Sequence, residues 1–294
     1  MSYALMVFAI ICATANSAVL KKFNNKTIEN TGDCFFFNGG VSIVWALMMT
    51  VWFFVSGDAS ISGGAILFGL AYGVILCSFL FLKMQSLAEG SVTLTTLVGS
   101  AAFIPATIFG IFYASESVSV LQILGMVVML VSLFMCVNPK KSTEKITLKW
   151  IIYCSLFFLA GSVLGMYYKV FGRSNFSSEV NGMMLSASVF SAVLFFITGI
   201  IINKAKRLPL PTVKKPSLIY ILISGIVGCA YIRINLSLSK VIPSAIFFPV
   251  TNGALVILST VIGALAFKEK LSKIQVAGVI VGLIAIVLSG LGSL

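Results

Sequence analysis

Near its end the chain reads Phe267-Lys268-Glu269-Lys270-Leu271-Ser272-Lys273-Ile274-Gln275-Val276-Ala277-Gly278, with an apolar run on either side. An earlier stretch, Ser115-Glu116-Ser117-Val118-Ser119-Val120-Leu121-Gln122-Ile123-Leu124-Gly125, has the same skeleton. Glu116 answers Glu269, Ser119 answers Ser272, Gln122 answers Gln275 and Gly125 answers Gly278. The offset is 153 each time, since 269 − 116 and 278 − 125 agree. Val128/Val281 and Leu130/Leu283 keep the same offset. That spacing is about half of 294 residues, so the sequence reads as two copies of one unit.

Composition decides the solvent. Hydrophobic residues make up 59% of the chain and charged residues 10%, with a mean hydropathy of +1.10. A soluble domain is about half apolar and about a quarter charged, so this chain cannot cover its apolar surface in water and is expected in lipid. The 20 Lys+Arg against 8 Asp+Glu do not point to nucleic acid. They sit in short loops between apolar runs, where anionic headgroups and the orientation of inserted helices account for them. Cys12, Cys34, Cys77, Cys136, Cys154 and Cys229 form no CxxC and most lie in apolar runs, as small buried residues do. The chain has no histidine, which excludes histidine relays and histidine metal sites. No cofactor is expected. Ala13-Thr14-Ala15 resembles a signal-peptidase site, but no basic region precedes it, so the first run is expected to be retained as a membrane helix.

About 20 apolar residues span the ~30 Å hydrocarbon core. Ten runs meet that length: 2–20, 33–56, 62–85, 91–114, 117–137, 148–171, 179–202, 216–240, 243–266 and 272–291. The expected fold is therefore all-α and integral to the membrane, with ten transmembrane helices as two five-helix repeats. The first repeat is 1–138, the link is 139–146 with its Lys140-Lys141-Ser142-Thr143-Glu144-Lys145, and the second repeat is 147–294. An odd helix number makes the second copy enter from the opposite side, so the repeats are inverted. Loops after runs 1, 3, 5, 7 and 9 hold 16 of the 20 basic residues; Lys169, Arg173, Arg233 and Lys240 fall on the other face. The positive-inside rule puts the rich face in the cytoplasm and both termini outside.

Two five-helix units, each ending in a Glu-containing turn and Gln-x-x-Gly at the last helix, resemble the drug/metabolite transporter superfamily, EamA-like branch. The likeness spans essentially the whole chain. Lys22 and Lys169, closing the first helix of each unit, add to it. Two features depart from the pattern: Pro105 and Pro249 do not align under the 153 offset, and outward termini differ from well-studied relatives. The resemblance implies a ten-helix secondary transporter of the plasma membrane. Runs 1–4 and 6–9 would surround a central cavity, and runs 5 and 10 would brace it. Export is the commoner role among relatives.

Polar groups in hydrocarbon are costly and usually face a bundle interior or a water-filled path. Arg233, in Tyr231-Ile232-Arg233-Ile234-Asn235, reads equally as an anion-binding group or as an arginine snorkelling to headgroups. Tyr168 and Lys169 read first as interface anchors. Asn16, Asn38, Tyr72, Thr96, Asn235, Thr251 and Asn252 are neutral polar residues on runs that the resemblance places around the cavity. Singly each reads as an interhelical hydrogen bonder; together they and Tyr231 are the candidate substrate pathway. Pro249-Val250-Thr251-Asn252-Gly253 is the expected site of a broken or kinked helix. Glu116 and Glu269 read as caps of the helices that follow them. Gly69-x-x-x-Gly73, Gly161-x-x-x-Gly165 and Gly278-x-x-x-Gly282 read as close helix contacts within one chain, with a monomer expected and a dimer as the alternative. No nucleophile motif, phosphate loop or carboxylate pair is present, so no enzyme is expected. The sequence supports a transporter of a small organic solute; a non-transporting membrane receptor or assembly partner is the alternative.

Overall fold

Helix ends are written in short polar signals, and the structure shows which residues act on them. A computed structural model describes residues 2–27, 30–56, 60–90, 92–137, 147–209, 215–267 and 271–292. They form α1 (Ser2–Thr27), α2 (Thr31–Val55), α3 (Gly63–Glu89), α4 (Val92–Ala101), α5 (Phe103–Ala114), α6 (Val120–Val137), α7 (Leu148–Arg173), α8 (Val180–Ala205), α9 (Lys215–Leu238), α10 (Ser244–Phe267) and α11 (Lys273–Leu291), with no strand among the described residues. Nine spans among the described residues are long and apolar enough to cross a membrane, counting Leu94–Ala114 as one; α1 contributes the shorter apolar stretch Tyr3–Asn16. The protein is a multi-pass helical membrane protein. The link at 139–146 lies outside the described residues.

The chain divides into two compact units. Unit 1 comprises Met1–Ile10, Phe79–Gly172 and Ser237–Leu294, and unit 2 comprises Ile11–Ser78 and Arg173–Leu236. Each unit draws on segments from both sides of the 139–146 link.

In unit 1, the fourth apolar run does not form one helix. It breaks at Ala102 into α4 and α5. Pro105 lacks an N–H and its ring would clash with the carbonyl of Ala101 inside a continuous helix. The break places Pro105 in the first turn of α5, where a missing donor costs nothing. Ala102 N–H turns back to the Gly99 carbonyl at 3.3 Å, and Ser162 Oγ donates to the Ala102 carbonyl at 3.2 Å. The helix expected to break or kink, around Pro249, is not broken: it runs on as α10 with Pro249 inside it. There Thr251 Oγ1 and Asn252 Nδ2 donate to the Phe247 and Phe248 carbonyls at 2.6 and 2.9 Å, and Ala245, Ile246, Phe247, Phe248 and Val250 are all buried.

The repeated Ser and Gln turn out to be the helix caps. Ser272 Oγ accepts from Gln275 N–H at 3.3 Å while Gln275 Oε1 accepts from Ser272 N–H at 3.0 Å, closing a capping box on α11. Ser119 and Gln122 repeat it on α6 at 3.3 and 3.0 Å. Glu116, expected as the cap of α6, is committed elsewhere, and Glu269 lies outside the described residues. The capped helices α6 and α11 lie antiparallel. A Cβ added to Gly125 would lie 2.3 Å from Ser289 Oγ, and one on Gly278 would lie 2.8 Å from the Cys136 backbone N. Both pairs sum to 414, and the 153 offset carries one pair onto the other. Ser132 Oγ donates to the Gly278 carbonyl at 2.7 Å across this contact. Small residues thus bring two backbones together where lipid supplies no hydrophobic drive.

In unit 2, α2 and α8 are also antiparallel. Gly32 abuts Asn203, Gly39 abuts Phe196 and Gly199 abuts Phe36, each pair summing to 235. Asn30 Oδ1 caps α2 by accepting from Asp33 N–H at 3.0 Å. Gly69 and Gly73 on α3 pack against Ser186 and Ser191 of α8, so that small-residue stripe is used inside the unit.

Candidate functional site

Unit 2 carries a set of buried polar groups at one level. Asn16 on α1, Trp45 on α2, Ser191 on α8 and Ser224 on α9 each stand roughly 13–21 Å from both ends of their helices by helical rise. Helix contacts tie the level together. The ring of Trp45 meets that of Tyr72 on α3 edge-on at 6.0 Å. A Cβ on the next residue, Gly73, would lie 3.2 Å from Ser191 N and 3.3 Å from its Oγ. A Cβ on Gly225, beside Ser224, would lie 2.5 Å from Cβ of Val44, beside Trp45. One turn along α9, a Cβ on Gly228 would lie 3.9 Å from Asn16 Nδ2.

Trp45, Ser191 and Ser224 are 4%, 0% and 1% exposed. Trp45 Nε1, Ser191 Oγ, Ser224 Oγ and Asn16 Oδ1 are buried atoms with no hydrogen-bond partner in the protein. The serines are the telling members. A membrane-helix hydroxyl ordinarily returns its proton to a carbonyl of its own helix. Ser186 does so to Met183 at 2.9 Å and Ser188 to Leu185 at 2.7 Å. Ser191, one turn on, does not. Each unmade bond costs about 1–3 kcal/mol; Asn203 Oδ1, Asn235 Oδ1, Ser244 Oγ and Ser289 Oγ are also buried without a partner, and the four here are set apart by sharing one depth.

The remaining expected pathway residues of unit 2 behave differently. Asn38 Nδ2 donates to the Cys34 carbonyl of its own helix at 2.8 Å. Asn235 Nδ2 does the same to Tyr231 at 2.9 Å, leaving Asn235 Oδ1 buried and unpartnered three residues from the end of α9. Arg233 is half-buried, and its guanidinium lies 5.2 Å from the centroid of Trp52, three residues from the end of α2. Tyr231 and Arg233 are thus at the end of the unit, not at its mid-level. At that same end Glu179 Oε2 accepts from Ser62 N–H at 2.7 Å, just ahead of α3.

Unit 1 holds Thr96, Tyr168, Lys169, Thr251 and Asn252. Thr96 is exposed, and its carbonyl accepts from Ser100 Oγ at 2.8 Å. Tyr168 is half-buried beside Tyr167, and its carbonyl accepts from Ser239 Oγ at 3.4 Å. Thr251 and Asn252 spend their donors on α10 itself. Lys169 is 4% exposed, too buried for an anchor reaching headgroups. Its Nζ lies 2.9 Å from Glu116 Oε1 and donates to the Ile242 carbonyl at 3.0 Å. Glu116 Oε2 accepts from Ser244 N–H, the first of α10, at 2.6 Å. Gly110 of α5 leaves room for this cluster, since a Cβ there would meet Ser244 Oγ at 2.1 Å. The arrangement clamps the α5–α6 turn, the end of α7 and the start of α10. Both charges are matched within it, which suits a structural clamp.

Sequence reasoning named Asn16 and Tyr72 but passed over Trp45, Ser191, Ser224 and the pairing of Glu116 with Lys169. The six cysteines are free and buried, and no trio of His, Cys, Asp or Glu that could hold a metal occurs among the described residues.

No family model matches the chain, and no curated protein matches it. Among solved structures 28 chains match. One, a crystal structure described only as that of a protein, superposes with a TM-score of 0.75 at 11% identity, covering 99% of this chain and 96% of its own. At that identity the likeness is one of fold.

Proposed function

We propose that this multi-pass membrane protein is a secondary transporter of a small organic solute, built as the inverted ten-helix repeat of the drug/metabolite transporter superfamily, EamA-like branch. The observation that carries the reading is the mid-level set of Asn16, Trp45, Ser191 and Ser224, whose polar atoms are buried and unpaired. A receptor or scaffold gains nothing from four unmade bonds at the depth where a bilayer is driest. A transporter does, because a solute that completes those bonds is held there and released when the surrounding helices rearrange. The matched capping boxes and the 153-offset contacts of α6 and α11 support the repeat.

The test is reconstitution of the full chain into liposomes with a panel of small metabolites and drug-like solutes. The reading expects saturable, protein-dependent flux of at least one member, reduced when Ser191 and Ser224 are replaced by Ala. Flux equal to that of empty liposomes across the panel would support a non-transporting membrane protein.

A further inference from the structure

We propose that the mid-level centre of unit 2 takes an uncharged solute that offers both hydrogen-bond donors and acceptors. The proposal deepens the transporter reading and rests on it for what the site is for, but the binding chemistry stands on the residues themselves.

The unpaired atoms state what a ligand must bring. Trp45 Nε1–H can only donate, so the ligand needs an acceptor. Asn16 Oδ1 can only accept, so the ligand needs a donor. Ser191 and Ser224 hydroxyls take either role. None of these groups carries charge. Along α1, α2, α8 and α9 the nearest described charged side chain is Arg233, nine positions from Ser224 and five from Gly228, roughly 13 and 7.5 Å by helical rise. Lys21, five positions beyond Asn16, lies outside the described side chains. Arg233 has its guanidinium over the Trp52 ring near the end of the unit, not at the centre. Asp33, Glu179 and Lys204 lie in the first or last turn of α2 and α8 or just outside it.

Among the described side chains, an ion brought to this level would meet no opposite charge on leaving water, which low-polarity surroundings penalise heavily. A neutral polar molecule faces a smaller desolvation cost. It recovers that cost through bonds to groups that otherwise go unpaired. The site therefore discriminates by charge: it rejects ions and retains polyols, amides and similar neutral polar molecules. Arg233, which the sequence leaves open between anion binding and snorkelling, has its guanidinium over Trp52, outside the proposed centre.

The experiment measures thermal stability of the purified full chain with two trios of probes that share a skeleton and differ in charge. One trio is sorbitol, gluconate and glucamine; the other is benzamide, benzoate and benzylammonium. Each is titrated at constant ionic strength against the wild type and against the double variant Ser191→Ala/Ser224→Ala, whose response subtracts nonspecific solvent effects. The expected result is a saturable stabilisation by the neutral member of at least one trio, with half-saturation at least tenfold weaker in the double variant and in Trp45→Phe. The charged members give no variant-sensitive shift. A charged member that binds more tightly than its neutral partner in a variant-sensitive way overturns the proposal. So does the absence of any variant-sensitive shift from both trios. Liposome flux of the same probes separates the two readings: neutral binding without flux leaves the site standing and removes transport.

Discussion

Lys169 Nζ lies 2.9 Å from Glu116 Oε1, with the two side chains 5% and 15% exposed. The second carboxylate oxygen holds Ser244 N–H and the ammonium holds the Ile242 carbonyl. Removing one partner of a buried pair typically costs about 3–5 kcal/mol because the other charge is stranded. Glu116→Gln and Lys169→Met are each expected to lower the melting temperature sharply, and the double variant less than their sum. The charge swap Glu116→Lys/Lys169→Glu is expected to fail as a rescue, because Ser244 N–H needs an acceptor at position 116. Thermal unfolding of the four variants in detergent checks this; full rescue by the swap would show a simple ion pair.

The α6–α11 contact makes a symmetric prediction. Gly125 and Gly278 each face a neighbouring backbone too closely for a Cβ, at 2.9 Å from Ser289 N and 2.8 Å from Cys136 N. Gly125→Val and Gly278→Val should each destabilise by about 1–3 kcal/mol through overpacking, and by similar amounts. A large effect of one and none of the other would mean the two contacts are not equivalent.

Arg233 gives a contrast between anchoring and transport. Its contact with Trp52 at 5.2 Å is of the kind worth about 0.5–1 kcal/mol near a surface. Arg233→Ala and Trp52→Leu should each lose about that much stability by thermal unfolding and leave solute flux largely intact. Abolished flux in a well-folded Arg233→Ala protein would return the arginine to the solute path.

Much of the fold was legible because lipid forces long apolar runs, and ten of them predicted the helices. The eleventh arose from Pro105, since sequence does not say which of two prolines will break a helix. Pro105 can become a first-turn residue after Ala102, whereas Pro249 sits among buried neighbours and side chains that bond their own helix. The repeated Ser and Gln were visible, but the prominent Glu116 drew the capping role that Ser119 performs. The site was harder to read. Ser188 and Ser191 look alike in a sequence, and only geometry shows that one bonds its own helix and the other does not. The partners of Glu116 lie 53 and 128 residues away, a separation that no motif records.

The unpaired mid-level groups either serve a solute or hold the fold. Removing an unsatisfied buried hydroxyl, as Ser→Ala does, is close to neutral for folding or stabilises it, so function and stability should part company here. The decisive measurement is thermal stability and liposome flux on the same preparations of wild type, Ser191→Ala and Ser224→Ala. The account predicts a melting temperature unchanged or raised in both variants, with saturable solute flux reduced at least tenfold. A lowered melting temperature with flux unchanged would contradict it, because the hydroxyls would then be holding the fold rather than the solute.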